Sequence, residues 1–308
     1  MPKHVLITGA TGLIGLHTAK ALIGRGDKVT IFSHSLNSAQ RKIPGADKYV
    51  KWNSEDEKDW TGYLEGQDAV IHLSGAPVMA KRWTGPYKTE ILSSRQNSTH
   101  ALVKAIASLD IKPEVFICAS AIGYYGTAKS GETFTEKSPA GSDFLATVCK
   151  VWEREASIVE NYGVRRVSLR TGIVLDLSGG ALAKMITPFR YFAGGPLGHG
   201  KQGFPWIHID DVTSIILLAL DNKSLNGPVN LVAPEKISMN EFSSTLGNLL
   251  NRPSWLKVPA PLLKILIGEG EETITKTPFV KPEVLENFNY KFKFENSGQA
   301  LKNILQKT

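Results

Sequence analysis

The sequence predicts an α/β fold: a doubly wound parallel sheet with a smaller C-terminal lobe. Two observations support this prediction. Short apolar segments alternate with longer segments of helical periodicity, and this alternation is typical of parallel strands joined by right-handed crossover helices. The first apolar segment runs directly into three glycines at a three-residue spacing, Gly9, Gly12 and Gly15. The chain has 308 residues, of which 42% are hydrophobic, so it is long enough to bury a full core.

Each element follows from its local pattern. After the first strand, the predicted strands are residues 28–32, 68–73, 113–119, 165–170 and 227–232. The predicted helices are residues 90–109, 144–162, 212–220, 241–250, 259–267 and 282–287, and the helix after the glycines ends near Gly24 and Gly26. Beyond Thr171, glycines interrupt a stretch with little periodicity, which indicates loops around one helix.

The glycine turn is typical of a dinucleotide site of the Rossmann type. A pyrophosphate lying on a helix N-terminus needs backbone N–H groups at close range, and a Cβ at Gly9 or Gly12 would hold it away. Gly15 lets the helix pack onto the sheet. The same spacing occurs in ordinary strand-turn-helix units, but the flanking strand and helix favour the nucleotide site. The predicted cofactor contacts at this turn are Gly9, Thr11, Gly12, Leu13, Ile14 and Gly15.

The end of the second strand indicates which dinucleotide is bound. Where an NAD-binding protein has Asp or Glu for the ribose 2′-hydroxyl, this sequence has Ser33, His34 and Ser35. No carboxylate would repel a 2′-phosphate there, and Arg41 and Lys42 follow closely. We therefore predict that NADP(H) is favoured over NAD(H), with residues 33–35 at the 2′-phosphate. The alternative is that Arg41 and Lys42 are solvated loop charges.

These patterns divide the chain into two parts. We predict that residues 1–175, with a contribution from residues 207–232, form the NADP(H)-binding domain. Residues 176–206 and 233–308 would form a lobe on the substrate side, and the loop of residues 194–206 would close the cleft between the two parts.

Composition excludes several classes of protein. The two cysteines cannot form a disulfide framework and suit a reducing compartment, and no His, Cys, Asp or Glu set has metal-ligand spacing. No apolar run approaches the length of a bilayer span, and the first strand starts too early for a leader peptide to precede it. The net charge is +7, but no Lys/Arg-rich segment is present. We expect a cytoplasmic protein that acts on a small molecule, without nucleic acid, membrane or metal.

Several further segments resemble one family. Residues 72–76, 119–126, 169–175, 188–190, 194–198 and 202–211 are similar to the cofactor and active-site segments of the short-chain dehydrogenase/reductase superfamily. The extended branch fits best, and within it the atypical epimerase family proteins, some of which are labelled cell-division inhibitor homologues. The resemblance covers essentially the whole chain. It implies a possible homodimer formed through helices that flank the sheet. It also implies cofactor contacts from Leu73, Ser74, Gly75, Ala76, Arg95, Thr171, Gly172, Ile173 and Val174.

The usual catalytic pair of that superfamily is missing. Most members place a Tyr and a Lys four residues apart on one helix face, where the ammonium lowers the phenol's pKa. Aligning Glu153 puts Leu145 at the Tyr position and Cys149 at the Lys position, and Arg95 replaces the usual Asn. The subgroup shares the Cys and Arg substitutions. Tyr125 and Lys129 have the same four-residue spacing, but glycines around them predict a loop without a shared face.

Other side chains are therefore candidates for catalysis. Tyr124 and Tyr125 follow the strand that faces the nicotinamide in relatives, and Ser120 lies at the end of that strand. The alternative for each tyrosine is aromatic packing beneath a loop. Cys149 is a candidate thiol if Arg95 and the cofactor lower its pKa, although free cysteines are usually buried and inert.

The second half of the chain contains candidate substrate contacts. Arg170 and Arg190 could hold an anion, or could form salt bridges between lobes. An alternating pattern directs Trp206 and His208 to one side of the chain, where His208 is open to a packing or an acid–base role, and Asp210 is predicted as the N-cap of the next helix. The sequence leaves two functions open: an NADP(H)-dependent oxidoreductase or epimerase-like enzyme, and a non-catalytic NADP(H)-sensing or scaffold protein.

Overall fold

The computed structural model describes residues 1–56, 59–127 and 131–306. Its strands are β1 (His4–Thr8), β2 (Lys28–Ser33), β3 (Lys48–Lys51), β4 (Ala69–His72), β5 (Val115–Ala121), β6 (Thr133–Phe134), β7 (Arg165–Thr171), β8 (Ile173–Leu175), β9 (Trp206–His208), β10 (Gly227–Leu231) and β11 (Phe279–Val280). Its α-helices are α1 (Leu13–Arg25), α2 (Leu36–Lys42), α3 (Gly85–Ser108), α4 (Phe144–Ser157), α5 (Gly180–Arg190), α6 (Ile209–Asp221), α7 (Met239–Leu250), α8 (Ala260–Ile267), α9 (Glu271–Thr275), α10 (Glu283–Asn287) and α11 (Ser297–Gln306).

Seven strands form one parallel sheet in the order β3-β2-β1-β4-β5-β7-β10. This order reverses direction at β1 and β4, which is the topological switch point where open α/β sheets bind ligands. The predicted doubly wound Rossmann-type fold is confirmed. Because all seven strands run the same way, their carboxyl ends form one rim of the molecule, and the candidate site lies along that rim.

Each face of the sheet has its own apolar core. Val5 and Ile7 of β1 pack with residues of α1 and α6 on one face, whereas Leu6 packs with α3 and α4 on the other. Alternation along β1 therefore buries both sides of the strand, as expected for a sheet covered by helices on both faces. This packing holds the strand ends in fixed positions.

Both edge strands of this sheet are short. On β3, Lys48 and Lys51 are exposed at the two ends of the strand. The opposite edge, β10, begins with Gly227 and Pro228. The remaining four strands form two small parallel pairs, β8 with β9 and β6 with β11. The second pair joins the segment after β5 to residues 233–308, for which the name C-terminal lobe is used below.

The principal predicted strands and helices are present, and the differences have local causes. Helix α3 begins at Gly85, five residues before its predicted start at Glu90, because the Thr84 side chain accepts a hydrogen bond from the backbone N–H of Tyr87 and Pro86 occupies the first turn. Sequence patterns did not predict α2, α9, α11, β3 or the two small strand pairs.

The glycines of residues 195–203 pack against the C-terminal lobe. A Cβ on Gly195 would lie 2.6 Å from the carbonyl carbon of Leu256, and one on Gly203 would lie 2.6 Å from that of Pro278. Gly198 and Gly200 are similarly close to side chains of Thr275 and Asn240. This loop therefore joins two layers of the protein through close backbone contact.

Among the described residues, no helix combines the length and the hydrophobicity that a membrane span requires. The same residues contain no group of three or more His, Cys, Asp or Glu side chains arranged to hold a metal ion.

Candidate functional site

The turn after β1 leaves an open helix N-terminus. Gly9 has a φ of +70°, and a Cβ there would lie 2.7 Å from the Leu73 carbonyl carbon, so this glycine is needed for the approach of β4 rather than for space on the ligand side. Gly15 packs the helix onto the turn, with Ala10 Cα 2.7 Å from an added Cβ. Gly12 is exposed, and its Cβ would meet only the Gly9 carbonyl oxygen, at 3.3 Å.

Gly12 is also the N-cap of α1. No side chain caps this helix, and its first turn contains no acidic residue. The first N–H groups of a helix have no partner within the helix and attract anions. Thr11, Leu13 and Ile14 are half-buried beside the turn. The arrangement fits a phosphate group, which the N–H groups would bind and which a side chain at residue 12 would displace.

The polar segment after β2 lies on the surface. His34 and Ser35 are exposed, and the Ser33 hydroxyl accepts a hydrogen bond from the Ser35 backbone N–H at 3.2 Å. The Lys42 ammonium donates a 3.4 Å hydrogen bond to the Thr11 carbonyl, so it reaches the glycine turn. This segment therefore presents hydroxyl, imidazole and ammonium groups beside the open N-terminus, with no carboxylate from residues 33–42.

The segment after β4 is held by Arg95. Its guanidinium donates to the Ala76 carbonyl at 3.0 Å, and a Cβ on Gly75 would lie 3.1 Å from Arg95 Cζ. Arg95 is buried and its pKa is lowered by burial. Leu73 and Ser74 lie half-buried at the rim. Arg95 thus holds the backbone of Gly75 and Ala76 in place. The candidate cofactor contacts of this segment therefore lie at the carboxyl end of β4.

The segment after β7 lies at the same rim. Thr171 ends β7, and Gly172 passes between two neighbouring segments, because a Cβ there would lie 2.6 Å from the Pro205 carbonyl oxygen and 2.8 Å from a Val232 methyl. Ile173 and Val174 follow in β8 and are half-buried. The residues predicted to contact the cofactor from this segment therefore lie at the carboxyl end of a central strand.

Ser120, Glu153 and Arg170 form a buried hydrogen-bonded group. The Ser120 hydroxyl donates to Glu153 Oε1 at 2.6 Å, and Arg170 binds the same carboxylate through Nε and Nη2, each at 2.9 Å. Burial lowers the pKa of Arg170, but the interactions with Glu153 and Tyr125 together raise it, and the net shift is upward, so the guanidinium stays charged. Both Ser120 and Arg170 are committed to an internal carboxylate, and this does not favour Arg170 as an anchor for an anionic substrate.

Tyr125 belongs to the same buried network. Its hydroxyl donates to Asn230 Oδ1 at 2.6 Å and accepts from Arg170 Nη1 at 3.1 Å. Burial raises the pKa of Tyr125 to about 12. The Asn230 backbone N–H donates to the buried carboxylate of Glu136 at 2.9 Å. Tyr125 therefore connects three strand ends, and its position does not favour a proton carrier.

Tyr124 has a different environment. It is half-buried, and the Arg170 guanidinium carbon lies 3.4 Å from the centre of its ring. This is the geometry of a cation–π contact. Tyr124 also packs edge to face on Tyr125, with ring centres 5.5 Å apart. The ring is therefore held between a fixed cation and a fixed aromatic neighbour.

Leu145 and Cys149 face the turn after β5, as their alignment with the usual Tyr and Lys positions requires. A Cβ on Gly123 would lie 3.2 Å from Leu145 Cβ and 3.8 Å from Cys149 Sγ. Cys149 is buried, and burial, with a further contribution from Glu153, raises its pKa to about 12 although Arg95 acts in the opposite direction. The raised pKa favours the protonated thiol, so Arg95 alone does not give the reactive thiol that was expected from Arg95 and the cofactor together.

A cleft of about 350 Å³ opens beside Leu145. It lies between the start of α4, the start of α3 and the α8–α9 region. Its volume falls in the range of small-molecule sites. Its lining residues are Trp83, Lys88, Thr127, Asp143, Phe144, Leu145, Lys264, Glu269, Glu271, Glu272 and Thr273. The loop of residues 194–206, which was expected to close the cleft, is not among them. Gly194 lies against Phe189, and the later glycines of the loop lie against residues 240–278.

The other predicted substrate residues do not line this cleft either. Arg190 is exposed at the end of α5. Trp206 is buried, and its indole N–H donates to Glu235 at 3.0 Å. His208 is buried against Phe294, with ring centres 4.0 Å apart. Their surroundings indicate packing roles for Trp206 and His208.

One further expectation is wrong, and another agrees with the structure where its residues are described. Asp210 was expected to cap α6, but His208 is the N-cap, and its Nδ1 accepts a 3.0 Å hydrogen bond from the Asp210 backbone N–H. Tyr125 ends the 3₁₀ turn Ile122–Tyr125, so it is not on an α-helix. Lys129, the other half of that four-residue spacing, lies outside the described residues.

Sequence reasoning missed the importance of Glu153. Glu153 lies four residues after Cys149 on α4, so the two share a helix face directed at the end of β5. That spacing was a usable signal. The partners Asn230 and Glu136 come from distant segments, and no local pattern predicts them.

Comparison with known proteins identifies the family. The model of the NAD dependent epimerase/dehydratase family matches residues 5–232, and a domain of unknown function, DUF1731, matches residues 258–304. The chain belongs to the NAD-dependent epimerase/dehydratase family, and the predicted resemblance to the atypical short-chain dehydrogenase/reductase proteins is confirmed.

Individual relatives extend this match over the whole chain. The chain is 39% identical over 304 residues to the chloroplastic epimerase family protein SDR39U1 homolog of Arabidopsis thaliana, which covers 98% of this chain and 86% of that protein. Identity to the epimerase family protein YfhF of Bacillus subtilis is 34%, over 98% of each chain. The cytoplasmic location of this chain stays a prediction.

Solved structures give the same result. The human epimerase family protein SDR39U1, isoform 2, crystallised with NADPH, superposes with a TM-score of 0.89 at 30% identity and covers 99% of this chain and 100% of that one. The UDP-glucuronic acid 4-epimerase of Bacillus cereus, in complex with UDP-glucuronic acid and NAD, has a TM-score of 0.79 at 19% identity over 99% of both chains, which shows the shared fold.

Proposed function

We propose that this chain binds NADP(H) at the turn after β1 and acts as an oxidoreductase or epimerase-like enzyme on a small molecule in the cleft beside Leu145. The observation that supports the cofactor most strongly is the open N-terminus of α1, where Gly12 leaves space and no side chain caps the helix. The human relative, 30% identical over nearly the whole chain, was crystallised with NADPH.

The residues after β2 support the choice of the phosphorylated cofactor. Ser33, His34 and Ser35 would bind the 2′-phosphate, and Lys42 would lie between it and the glycine turn. Calorimetric titration with NADPH and with NADH tests this proposal. We expect NADPH to bind at least tenfold more tightly, and equal affinities would contradict it.

NADP(H), when bound, supplies or accepts the hydride. The chain's own residues would position the substrate and move the proton. Tyr124 is the proposed proton carrier. It does not line the cleft, but it is half-buried in the turn after β5 and follows Gly123, which lies against Leu145 of the cleft. Ser120 and Tyr125 are committed to internal partners. Arg170 would position the Tyr124 ring, since its guanidinium stacks on it and is itself fixed by Glu153.

Replacing Tyr124 by Phe tests this role. The variant keeps the ring on Arg170 but removes the hydroxyl, and the loss of a general acid–base group typically costs about 100-fold or more. We expect NADPH oxidation with a panel of carbonyl compounds to fall at least tenfold, with unchanged NADPH affinity. Tyr162→Phe is the matched control, since Tyr162 is exposed beyond α4. Equal loss in both variants, or no loss in Tyr124→Phe, would contradict the assignment.

One observation favours a second candidate function. The positions that usually provide Tyr and Lys here provide an apolar side chain, Leu145, and a buried protonated thiol, Cys149. A protein that only senses NADP(H) needs neither group. Under this alternative Tyr124→Phe would leave the cellular phenotype intact while Gly12→Ala would weaken it, whereas an enzyme would be impaired by both variants.

A further inference from the structure

Two segments in the second half of the chain expose aromatic side chains. The exposed fraction is 79% for Tyr191, 56% for Phe192 and 67% for Trp255. Large apolar groups exposed together usually mark a surface that contacts a partner or a membrane. The proposed function uses none of residues 190–192 and 252–257, which are called the aromatic patch below, so the inference drawn from them is independent of it.

The two segments of the aromatic patch are in contact. The Leu256 backbone N–H donates to the Gly194 carbonyl at 3.2 Å, and the Arg252 guanidinium carbon lies 4.4 Å from the centre of the Phe192 ring. Phe192 has a φ of +61°, in the left-handed region that bulky residues rarely adopt. An aromatic residue that is held there at a cost in backbone energy, and is nevertheless exposed, does not serve the core.

The aromatic patch carries positive charge. Residues 177–209 and 242–268, which include its two segments, contain six Lys and Arg and no Asp or Glu. Arg190, Arg252 and Lys257 belong to the patch, and none of them forms an ion pair with a described residue. The other three cations are Lys184, Lys201 and Lys264. The charge of the patch is therefore not cancelled by ion pairs within it.

The acidic residues that border these segments in the sequence have partners elsewhere. Glu241 belongs to the capping box of α7 with Ser238. The other three face cationic or imidazole groups outside the patch: Asp176 lies 3.7 Å from His17 Nε2, Asp210 lies 3.8 Å from His208 Nδ1, and Glu269 lies 2.7 Å from the Lys88 ammonium. An anionic partner would thus meet the cations of the patch without an acidic group from its own segments.

The combination of side chains fits the surface of an anionic bilayer. Tyrosine and tryptophan are enriched at the boundary between headgroups and hydrocarbon, because each has an apolar ring and a polar tip. Lysine and arginine beside them attract anionic headgroups. Tyr191 and Trp255 provide the rings, and Arg190 and Lys257, which are both exposed, provide the charge.

Two other occupants fit less well. A second copy of the chain would bring the three cations of one patch against the same three of the other, which disfavours self-association. A single-stranded nucleic acid would stack its bases on free ring faces, but Arg252 already covers one face of Phe192. Leu256, which is 40% exposed, offers methyl groups to hydrocarbon and no ring to a base.

We propose that the aromatic patch docks the protein on membranes that contain anionic lipids. Tyr191, Phe192 and Trp255 enter the headgroup region, and Arg190 and Lys257 contact lipid phosphates, so the protein lies on the bilayer without spanning it. The expectation of a protein without membrane contact rested on the lack of a long apolar run, and binding at the surface needs no such run.

Vesicle binding followed by tryptophan fluorescence tests the proposal. The full chain is titrated at low salt with phosphatidylcholine vesicles and with vesicles that also contain phosphatidylglycerol. Of the six tryptophans, all but Trp255 are buried, so a blue shift on binding reports Trp255. We expect a blue shift and at least tenfold tighter binding with the anionic vesicles. No binding to them, equal binding to both kinds, or a blue shift that persists in Trp255→Phe would overturn the proposal.

Charge variants test the role of the cations. Arg190→Gln/Lys257→Gln should weaken binding to the anionic vesicles at least tenfold at low salt and less at high salt, because salt screens exposed charges. The control is Lys150→Gln/Lys302→Gln, which removes the same charge at exposed positions outside the patch. Equal losses in the two double variants would show that only net charge matters and would overturn the assignment of the patch.

A further pair of variants tests the apolar contribution. Trp255→Ser should weaken binding to the anionic vesicles at least tenfold, whereas Ile111→Ser, at a position that is 68% exposed and outside the patch, should leave it within twofold. Thermal unfolding should be the same for both variants and the parent. Equal vesicle binding by the two variants, or tighter binding of the parent to oligothymidylate than to the anionic vesicles, would contradict a membrane-docking surface.

Discussion

Two glycine-rich segments of this chain use their missing side chains in opposite ways. In the turn after β1, Gly9 and Gly15 pack against backbone, but Gly12 between them is exposed, and a Cβ there would meet only one backbone oxygen, at 3.3 Å. In the loop of residues 195–203, Gly195 and Gly203 lie against the backbone of the C-terminal lobe. The first segment leaves space for a ligand, whereas the second is filled by protein. Glycine content alone therefore does not distinguish a binding loop from a packing loop.

The largest expected effect is on the packing loop. Gly195→Ala would place a Cβ 2.6 Å from the Leu256 carbonyl carbon, and backbone cannot yield as a flexible side chain can. We expect the free energy of unfolding to fall by about 3 kcal/mol, the upper part of the usual cost of overpacking. Thermal and urea unfolding measure it.

Gly24→Ala is the control for this variant. Gly24 lies inside α1 with nothing within 4 Å of an added Cβ, so the same substitution should change stability by no more than about 1 kcal/mol, in the stabilising direction. A Gly195→Ala protein as stable as the Gly24→Ala protein would show that the close contact is not important.

Acid should weaken the nucleotide-binding half through His72. This imidazole is buried between Thr8 Oγ1, at 2.7 Å, and Thr99 Oγ1, at 3.1 Å, and burial, with a smaller effect of Arg95, lowers its pKa from 6.5 to about 3. The unfolded chain takes up a proton below pH 6.5, but the folded chain does not until about pH 3. Stability should therefore fall across this window, by up to about 2 kcal/mol between pH 6 and pH 4.

Urea unfolding at several pH values measures this effect. His72→Gln is expected to be less stable at neutral pH and to show a flatter pH dependence between pH 6.5 and 3 than the parent protein. Gly195→Ala should retain the parent's pH dependence, because its defect lies in the other segment. Parallel curves for His72→Gln and the parent would rule out His72 as the source.

Gly12→Ala should affect binding and leave stability nearly unchanged. The backbone at residue 12 is extended, with φ of −79°, and any residue can adopt it. The Cβ would occupy space assigned to the phosphates, and we expect NADPH affinity to fall roughly tenfold, or about 1.4 kcal/mol. Calorimetry and thermal unfolding on the same sample measure both properties. An unstable variant with normal affinity would reverse the comparison between the two segments.

The smallest effect is expected at Lys42. Its ammonium is exposed and lies 3.4 Å from the Thr11 carbonyl, so salt will screen its attraction to phosphate. Lys42→Met should weaken NADPH binding roughly threefold at low salt and less at high salt, as is usual for an exposed charge. A salt-independent loss would indicate a packing defect instead.

Local patterns were sufficient for the sheet and the glycine turn but not for the network at the rim. The run of residues 4–15 contains its own strand, turn and helix signals, so the site could be located from the sequence. Thr84 and Pro86 are also local signals, since a threonine cap and a proline in the first turn are both typical of a helix start. The hydrogen bond from Tyr125 to Asn230 joins residues 105 positions apart, and its existence depends on the strand order rather than on either neighbourhood.

The same limit explains the incorrect assignment at the start of α6. Aspartate is a common N-cap, and Asp210 precedes an apolar helix, so the prediction followed general preference. The N-cap is His208 instead, because β9 ends at this residue directly before the helix and its imidazole ring stacks on Phe294. Phe294 comes from the C-terminal lobe, which a local pattern does not include.

The edges of the main sheet have a consequence for how copies of this protein can associate. At one border, Lys48 and Lys51 bring charge to the exposed strand, and at the other, Pro228 lacks the N–H that a further strand would need. Continuation of the sheet from one molecule into another is thereby opposed at both borders. Association of copies through the edges of the main sheet is therefore disfavoured, and this also opposes fibrous aggregation through that sheet.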